Sequence, residues 1–409
     1  MPTPLHGKRI LLGVTGSIAC FKAADLASKL VQHGAQVDTV LTREACQFIT
    51  PLTFQALTHH PAFTDLFDPR AETAMDHVAL ALRADLIVVC PATAHTIARI
   101  ALGLADDVLT TTILASRAPL VVVPAMDAHM YEHPTLQEHI ERLRQRGVYF
   151  VGPVEGRLAS GLVGKGRMAE VTSILEHLRW VLGKATGDLR GRTIVATAGG
   201  TQEPIDPVRV VTNRSSGKMG YAVAEAARDR GARAVLITAP TALPDPVGVE
   251  VRRVTTAMEM RKAVLEACKE ADALIMAAAV ADYRPTRMAP QKVKKGPPLW
   301  VLEMTRNPDI IAEADGKVIK VGFAAETENL IANAREKLHA KGMHLIAAND
   351  VSAADSGFGA DTNRVVLLDR DGGVEELPLL PKYEVAQRIL DRVAAILAQP
   401  AKQPQPSTS

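Results

Sequence analysis

The sequence has almost no net charge, few cysteines, no apolar run long enough to cross a bilayer and no short-period repeat, and each lack removes a class of function. Lysine and arginine exceed aspartate and glutamate by only two, 47 against 45. A general polyanion-binding surface is therefore not indicated, any basic patch must be local, and no nucleic-acid motif stands out. The four cysteines, Cys20, Cys46, Cys90 and Cys268, are far apart and lie in or beside apolar runs. That spacing argues against a disulfide framework and a zinc site, and for buried free thiols in a reducing cytoplasm. The N-terminal stretch MPTPLHGKR has no apolar signal core, and no run approaches the roughly 18 apolar residues of a membrane span. A soluble, cytoplasmic protein without membrane or nucleic-acid partners is expected. At 409 residues the chain exceeds a usual single core, which favours two or three domains.

What the sequence does have is one local pattern, twice. Residues 9–14, RILLGV, read as a buried parallel strand; Gly13, Gly16 and Ser17 then precede a helical pattern that runs to about residue 33. Almost halfway along, TIVATA at 193–198 forms a second apolar run. It breaks at Gly199-Gly200 and passes through a polar, proline-containing loop before a helix that begins near Lys218. Glycines let backbone N–H groups approach an anion, and a helix N-terminus adds a favourable partial charge. The pattern predicts two doubly wound, mostly parallel-sheet α/β domains of flavodoxin- or Rossmann-like type, at 1–182 and 192–398. The glycine-rich, charged stretch GKATGDLRG at 183–191 is the expected linker. The Pro- and Gln-rich residues 399–409 have the composition of a disordered, solvated tail.

Neither unit carries the carboxylate that a dinucleotide fold places at the end of its second strand. The first unit ends that strand in Leu41-Thr42-Arg43 and the second in Ile237-Thr238-Ala239, so NAD is disfavoured and a mononucleotide with one phosphate remains compatible. A reductase-type Tyr-x-x-x-Lys pair is also missing. Taken alone, GVTGS is as compatible with a tight turn as with a phosphate site. Two more apolar strands, at 85–90 and 120–123, end in the small polar loops PATAHT and PAMDAHMY. Ligands of open parallel sheets collect at the carboxyl ends of strands, so these loops point to one crevice. His77 follows Asp76 and could serve as an acid or base, although taken alone the pair reads more simply as a helix-capping Asp beside a solvated His. The segment 155–168 has four glycines and three basic residues. It is too irregular for a buried strand and fits either a mobile flap over an anionic ligand or an ordinary surface loop.

GVTGSIAC, AMDH, PATAHTIARIALGLADD, PAMDAHMYEHP and GKGRM together resemble the flavin-dependent cysteine decarboxylases, over residues 7–180. The resemblance implies FMN, held by Gly16, Ser17 and Ile18 at its phosphate and by Thr42, Pro91, Ala92 and Thr93 around the flavin, with His77 in the active site. It further implies oxidation of a substrate thiol to a thioaldehyde, loss of the neighbouring carboxylate as carbon dioxide, and reduction of the resulting enethiol. Two positions depart from the family pattern: Asp127 stands where it has an asparagine, and Ser160 where it has the cysteine taken as the final acid. An ionised Asp can only accept hydrogen bonds and would repel a substrate carboxylate, and a serine hydroxyl is a far weaker acid than a thiol. In one account the pair changed together, with a protonated Asp127 or another group supplying the proton. In the other, the half binds flavin but is inactive.

In the second half, strands are expected at 235–238, 271–277, 318–323 and 345–348, a hairpin at 364–377 around Asp371-Gly372-Gly373, and a closing helix at 382–397. Lys218, Lys292, Lys294, Lys295, Lys337 and Lys341 lie at loop positions. A triphosphate needs several cations, whereas each lysine alone reads as a solubilising charge. TAGGTQEPIDPVR, TNRSSGKMG, AAAVADYRP, APQKVKK, NPDI, GFAAET and AANDV resemble the phosphopantothenate–cysteine ligases across nearly the whole domain. That resemblance implies CTP and a divalent cation, usually magnesium, with no metal ligands assigned. The carboxylate of 4′-phosphopantothenate would attack the α-phosphate to give an acyl cytidylate, from which cysteine displaces CMP. Asn213 would hold the acyl intermediate, or else serve only as a turn residue. Asp282 and Lys292 would contact nucleotide, with an ion pair from Asp282 to Arg284 as the competing role. Asn307, Pro308, Asp309 and Ile310 would form a nucleotide loop; Phe323, Lys337 and Lys341 would line the CTP pocket. The two resemblances imply a bifunctional enzyme of coenzyme A biosynthesis whose ligase product is its decarboxylase substrate. They also imply flavin-domain trimers and ligase-domain dimers, within an assembly as large as a dodecamer. A ligase carrying an inactive flavin half and a non-catalytic scaffold are the alternatives.

Overall fold

The computed structural model describes residues 4–67, 76–296, 299–314, 316–326, 329–350 and 359–398. The 399–409 tail, Met75 and Val351 lie outside these. The chain forms two compact units, Pro2–Ala185 and Thr186–Ser409, with Met1 grouped with the latter.

The N-terminal unit runs β1 (Arg9–Val14), α1 (Cys20–Gln32), β2 (Gln36–Leu41), α2 (Pro51–Thr58), β3 (Ala62–Phe63), α3 (Asp76–Arg83), β4 (Leu86–Ala92), α4 (Ala94–Leu102), α5 (Val108–Ala115), β5 (Leu120–Pro124), α6 (Ala128–Glu132), α7 (Pro134–Gln145), β6 (Tyr149–Phe150), β7 (Val154–Arg157), β8 (Val163–Arg167) and α8 (Val171–Thr186). Its sheet has the order β3-β2-β1-β4-β5-β6, parallel throughout. Unbroken apolar runs form these strands because both faces are covered. Alternate residues of one strand then serve different layers: Ile10, Leu12 and Val14 pack with α1 and α8, and Leu11 packs with α4, α5 and α7. The expected irregular segment at 155–168 is instead mostly the antiparallel β7–β8 hairpin. The glycines fit here because Gly164 and Gly166 lie against Ala128 and the carbonyl of Met126, where a side chain has no room, while most other positions of the hairpin are exposed.

The C-terminal unit runs β9 (Thr193–Ala198), β10 (Gln202–Pro204), β11 (Val210–Thr212), α9 (Lys218–Asp229), β12 (Arg233–Thr238), β13 (Glu250–Arg253), α10 (Ala257–Ala267), β14 (Ala273–Met276), β15 (Tyr283–Pro285), β16 (Met304–Arg306), α11 (Ile310–Glu313), β17 (Ile319–Glu326), α12 (Leu330–Ala340), β18 (Leu345–Asp350), β19 (Thr362–Asn363), β20 (Val365–Asp369), β21 (Val374–Glu376), β22 (Leu380–Pro381) and α13 (Lys382–Ala398). Its main sheet is β13-β12-β9-β14-β17-β18-β20-β21. The first six strands are parallel and repeat the strand order of the other unit, and β20 and β21 add an antiparallel edge.

Both sheets start with the same lock. Asp85, just before β4, accepts the N–H of Arg9 at 2.8 Å and pairs with Lys8; Asp272, just before β14, accepts the N–H of Thr193 at 2.8 Å and pairs with Arg192. Each carboxylate fixes the register of the first strand against its central neighbour. The 183–191 stretch is helical through Thr186, since Gly183 sits on the buried face of α8. Beyond it Leu189 is buried in the C-terminal core, and Asp188 pairs with Arg230.

Candidate functional site

In the N-terminal unit, the loops after β1, β4 and β5 meet at the carboxyl edge of the sheet. The hydroxyl of Thr15 donates to the carbonyl of Pro91 at 2.8 Å and accepts the N–H of Thr93 at 3.0 Å. Ala125 donates its N–H to the carbonyl of Ala92 at 3.0 Å. Gly16 leaves no room for a side chain, because a Cβ there would lie 2.5 Å from Cβ of Glu44. Ser17 reaches the carbonyl of Ala125 only at 3.5 Å, which leaves its hydroxyl able to turn to a ligand. Ile18 is exposed, and Thr42 is buried with its hydroxyl accepting the N–H of Ala45. Thr93 caps α4. His77, half-buried, is the second residue of α3. This helix runs back into β4, so its N-terminal end faces the edge at which β4 finishes. A tight glycine turn, small side chains and several hydroxyls at one sheet edge suit a flavin mononucleotide.

The two unusual positions are in contact. Ser160, between β7 and β8, donates its hydroxyl to Asp127 Oδ2 at 2.6 Å, while Asp127 Oδ1 caps α6 by accepting the N–H of His129 at 3.1 Å. The Ser160 hydrogen bond, then the His129 N–H, holds the Asp127 carboxyl below the usual carboxylate range. Those two donors favour the ionised form of Asp127 and speak against the protonated Asp127 considered as a proton source. The hairpin is seated beside it: Met126 donates its N–H to the carbonyl of Gly166, and a side chain on Gly166 would run into the carbonyl of Met126.

In the C-terminal unit, a cavity of about 660 Å³ opens where the chain leaves β11, β14 and β16, against the middle of β17. Asn213, Asp282, Asn307, Pro308, Asp309, Ile310, Phe323, Lys337 and Lys341 all line it. The glycine turn and the segment after β14 are stitched together: Ala279 donates its N–H to the carbonyl of Gly199 at 2.8 Å, and Ala281 to the hydroxyl of Thr201 at 3.0 Å. A Cβ on Gly200 would lie 2.5 Å from the carbonyl oxygen of Asn213, whose side-chain amide donates to the carbonyl of Val280. Asn307 donates to the carbonyl of Ala281 and accepts from Arg284 at 2.7 Å. The competing Asp282–Arg284 pair therefore does not form, and the Asp282 carboxylate is exposed to the cavity. Asp309 caps α11 and pairs with Lys341 at 2.9 Å. Six basic side chains and two carboxylates line the cavity, which gives it the field of a polyanion site.

Lys292, Lys294 and Lys295 are exposed on the segment between β15 and β16 and do not line this cavity. That segment is anchored from the glycine-loop side. Buried Asp206 accepts the N–H groups of Val208, Arg209 and Val293, and the Arg209 guanidinium reaches the carbonyl of Val293 and lies 4.8 Å from the Trp300 ring centroid. Arg214, Arg306 and Lys382 also line the cavity. Lys382 opens a helix after a Pro-rich turn, and no local signal marks it as a site residue. Among the described residues, no group of three or more His, Cys, Asp or Glu is placed to hold a metal ion, and no helix is long and apolar enough to cross a membrane.

Comparison with known proteins matches both units. The flavoprotein family profile matches residues 1–182, and that of the DNA/pantothenate metabolism flavoprotein C-terminal domain matches 189–397. The coenzyme A biosynthesis bifunctional protein CoaBC of Bacillus subtilis is 47% identical over 400 residues, 97% of this chain and 98% of its own length. That of Escherichia coli is 43% identical over 397 residues, 95% of this chain and 97% of its own length. A solved C-terminal domain of a CoaBC protein aligns at 41% identity over 52% of this chain and 98% of its own, with a TM-score of 0.45. With both profiles in tandem and identity running nearly end to end, this chain belongs to the family of bifunctional coenzyme A biosynthesis proteins.

Proposed function

We propose that the C-terminal cavity is the site of a CTP-dependent ligation of 4′-phosphopantothenate with cysteine, and the loop edge of the N-terminal sheet that of an FMN-dependent decarboxylation of the product to 4′-phosphopantetheine. The chain is an enzyme of coenzyme A biosynthesis with decarboxylase and ligase activities. One observation carries the finer reading: nine of the ten residues expected for the ligase line a single basic cavity, although separate stretches of chain supply them.

A carboxylate is a poor electrophile at neutral pH and must be activated before an amine can take its carbon. In the proposed sequence an oxygen of the 4′-phosphopantothenate carboxylate bonds to the α-phosphorus of CTP and pyrophosphate leaves. The cysteine amine then attacks the acyl carbon, and CMP departs as the amide forms and a proton is released. Lys337, Lys341 and Arg306 offset the negative charge of the nucleotide, and the Asn213 amide is fixed by Val280 and Gly200 to hold the acyl group. Asp282, exposed to the cavity, would provide a carboxylate of the kind with which magnesium is held when phosphates complete its shell.

In the N-terminal unit Gly16, Ser17 and Ile18 would hold the FMN phosphate, with Thr42, Pro91, Ala92 and Thr93 around the ring. FMN supplies two-electron oxidation and reduction at a thiol-bearing carbon. His77 serves as the acid–base group at this edge. Ionised Asp127 and Ser160 hold the hairpin loop against α6, and the proton for the product comes from a group other than Asp127. Exposed Ile18, Phe21, Phe48 and Leu52 support self-association of this unit, and the activity belongs in the cytoplasm.

The test supplies full-length protein with FMN, magnesium, CTP, 4′-phosphopantothenate and cysteine. Pyrophosphate, carbon dioxide and 4′-phosphopantetheine are the expected products. Pyrophosphate without carbon dioxide would remove the decarboxylase half of the reading; carbon dioxide without 4′-phosphopantetheine would place the failure at the final reduction.

A further inference from the structure

One end of the C-terminal cavity carries a charge arrangement that the proposed ligase roles leave unused. Lys218, at the start of α9, places its ammonium 2.6 Å from Asp361 Oδ1 and 3.0 Å from the carbonyl of Gly359. Lys382, at the start of α13, is only 7% exposed. Its ammonium donates to the carbonyls of Ala360 and Thr362, the residues on either side of Asp361, and pairs with no carboxylate among the described residues. Burial, then repulsion from Lys218, pushes its pKa down. Arg214, four positions before Lys218, also lines the cavity, with no hydrogen bond or ion pair among the described residues. Two cations, Lys218 and Lys382, therefore act on a single carboxylate, and Arg214 adds a third positive charge to the cavity.

The two halves of this contact are held very differently. Lys382 grips the backbone around Asp361, and the Asp361 N-terminal and C-terminal neighbours cannot shift without breaking those bonds. The Asp361 side chain is 88% exposed, so its ion pair with Lys218 is weak and its carboxylate turns into water at little cost. A phosphate presents more charge and more acceptor oxygens to the same cations than a carboxylate does.

We propose that Lys218 and Arg214 form a phosphate subsite of this cavity, and that Asp361 is an internal counter-ion which occupies it in the free protein and is displaced when a ligand phosphate binds. Lys382 acts as a positioning residue: it keeps Asp361 within reach of Lys218 and adds positive field without touching the ligand. Weak monoanions do not displace the tethered carboxylate, whereas a diphosphate or a dianionic phosphate does. This assignment rests on reading the cavity as a site for phosphate-bearing substrates. Two sources share the chemistry, the polyphosphate of the nucleotide and the phosphomonoester of the second substrate.

The test is calorimetric titration of the full-length protein with inorganic pyrophosphate, CTP and 4′-phosphopantothenate in separate experiments. Asp361→Asn removes the competitor and should tighten pyrophosphate binding about two- to fivefold, the size of an exposed ion pair. Lys218→Gln should weaken it roughly tenfold, and Lys218→Arg should restore it. The organic ligand whose affinity follows the same pattern is the source of the phosphate. Unchanged or weaker pyrophosphate binding in Asp361→Asn would overturn the counter-ion role, and an indifferent Lys218→Gln the subsite. A response to pyrophosphate but to neither organic ligand would overturn its assignment to a substrate. A parallel ligase assay on the wild type separates the two readings: no product, with Asp361→Asn still tightening pyrophosphate, would sink the ligase reading and leave the subsite standing.

Discussion

Ser160 and Asp127 are 33 positions apart and yet share a 2.6 Å hydrogen bond, so two departures from the family pattern act as one unit. The hydroxyl donates to an ionised carboxylate, which is stabilised by that donor. Ser160→Ala should therefore raise the Asp127 titration midpoint toward that of an ordinary carboxyl, readable by NMR of the carboxyl carbon. Both proteins stay ionised at neutral pH, so a loss of decarboxylation there would report hairpin position rather than charge. His344 gives a prediction of opposite character. Its Nδ1 accepts the N–H of Lys320, and burial, with Arg370 and Lys320 nearby, pushes its imidazole from 6.5 down to about 4. Between those values the unfolded chain binds a proton that the folded chain refuses. The contribution of neutral His344 is thus intact above pH 6.5 and falls away as the pH drops toward 4. Urea unfolding at pH 7 and pH 4.5 should show a steeper acid loss in the wild type than in His344→Gln.

At the scale of elements, the strands were legible where burial on both faces demands an unbroken apolar run. Arg9–Val14 and Thr193–Ala198 are found where the sequence predicts them. The β10–β11 and β15–β16 pairs were not, because polar residues and prolines at sheet margins carry no period-two signal. The lysines of the cavity were recognisable only as scattered cations. Distance along the chain hides that Lys337 and Lys341 end one helix, Lys218 begins another, and Lys292 faces elsewhere. Asp206 shows the same limit: within TQEPIDPVR it reads as part of a ligand loop, whereas its carboxylate is spent on Val208, Arg209 and Val293. Asp206→Ala should lower stability to chemical denaturation, because the N–H groups of Val208, Arg209 and Val293 all lose their acceptor. By freeing the segment that carries Lys292, it should also raise the KM for CTP more than it lowers kcat.

At the scale of the whole chain, each unit has its own core. The N-terminal sheet is buried between clusters that include Ile10 and Leu178 on one face and Leu11 and Ile140 on the other. The C-terminal sheet lies between clusters built around Ala196 and Val385, and around Val195 and Val264. A ligand that binds only folded protein stabilises the unit it touches by mass action, about 2.7 kcal/mol at a concentration one hundredfold above its Kd. For units of this size that corresponds to a rise in Tm of roughly 5–10 °C. Differential scanning calorimetry of the full-length protein should therefore resolve two transitions. CTP with magnesium should raise one, and FMN the other. Asp361→Asn should enlarge the shift produced by inorganic pyrophosphate and leave the FMN shift alone, because the carboxylate it removes belongs to the C-terminal unit. A single transition moved equally by both ligands would mean that the two cores unfold as one, and that ligand-induced stability cannot be assigned to either site by heating alone.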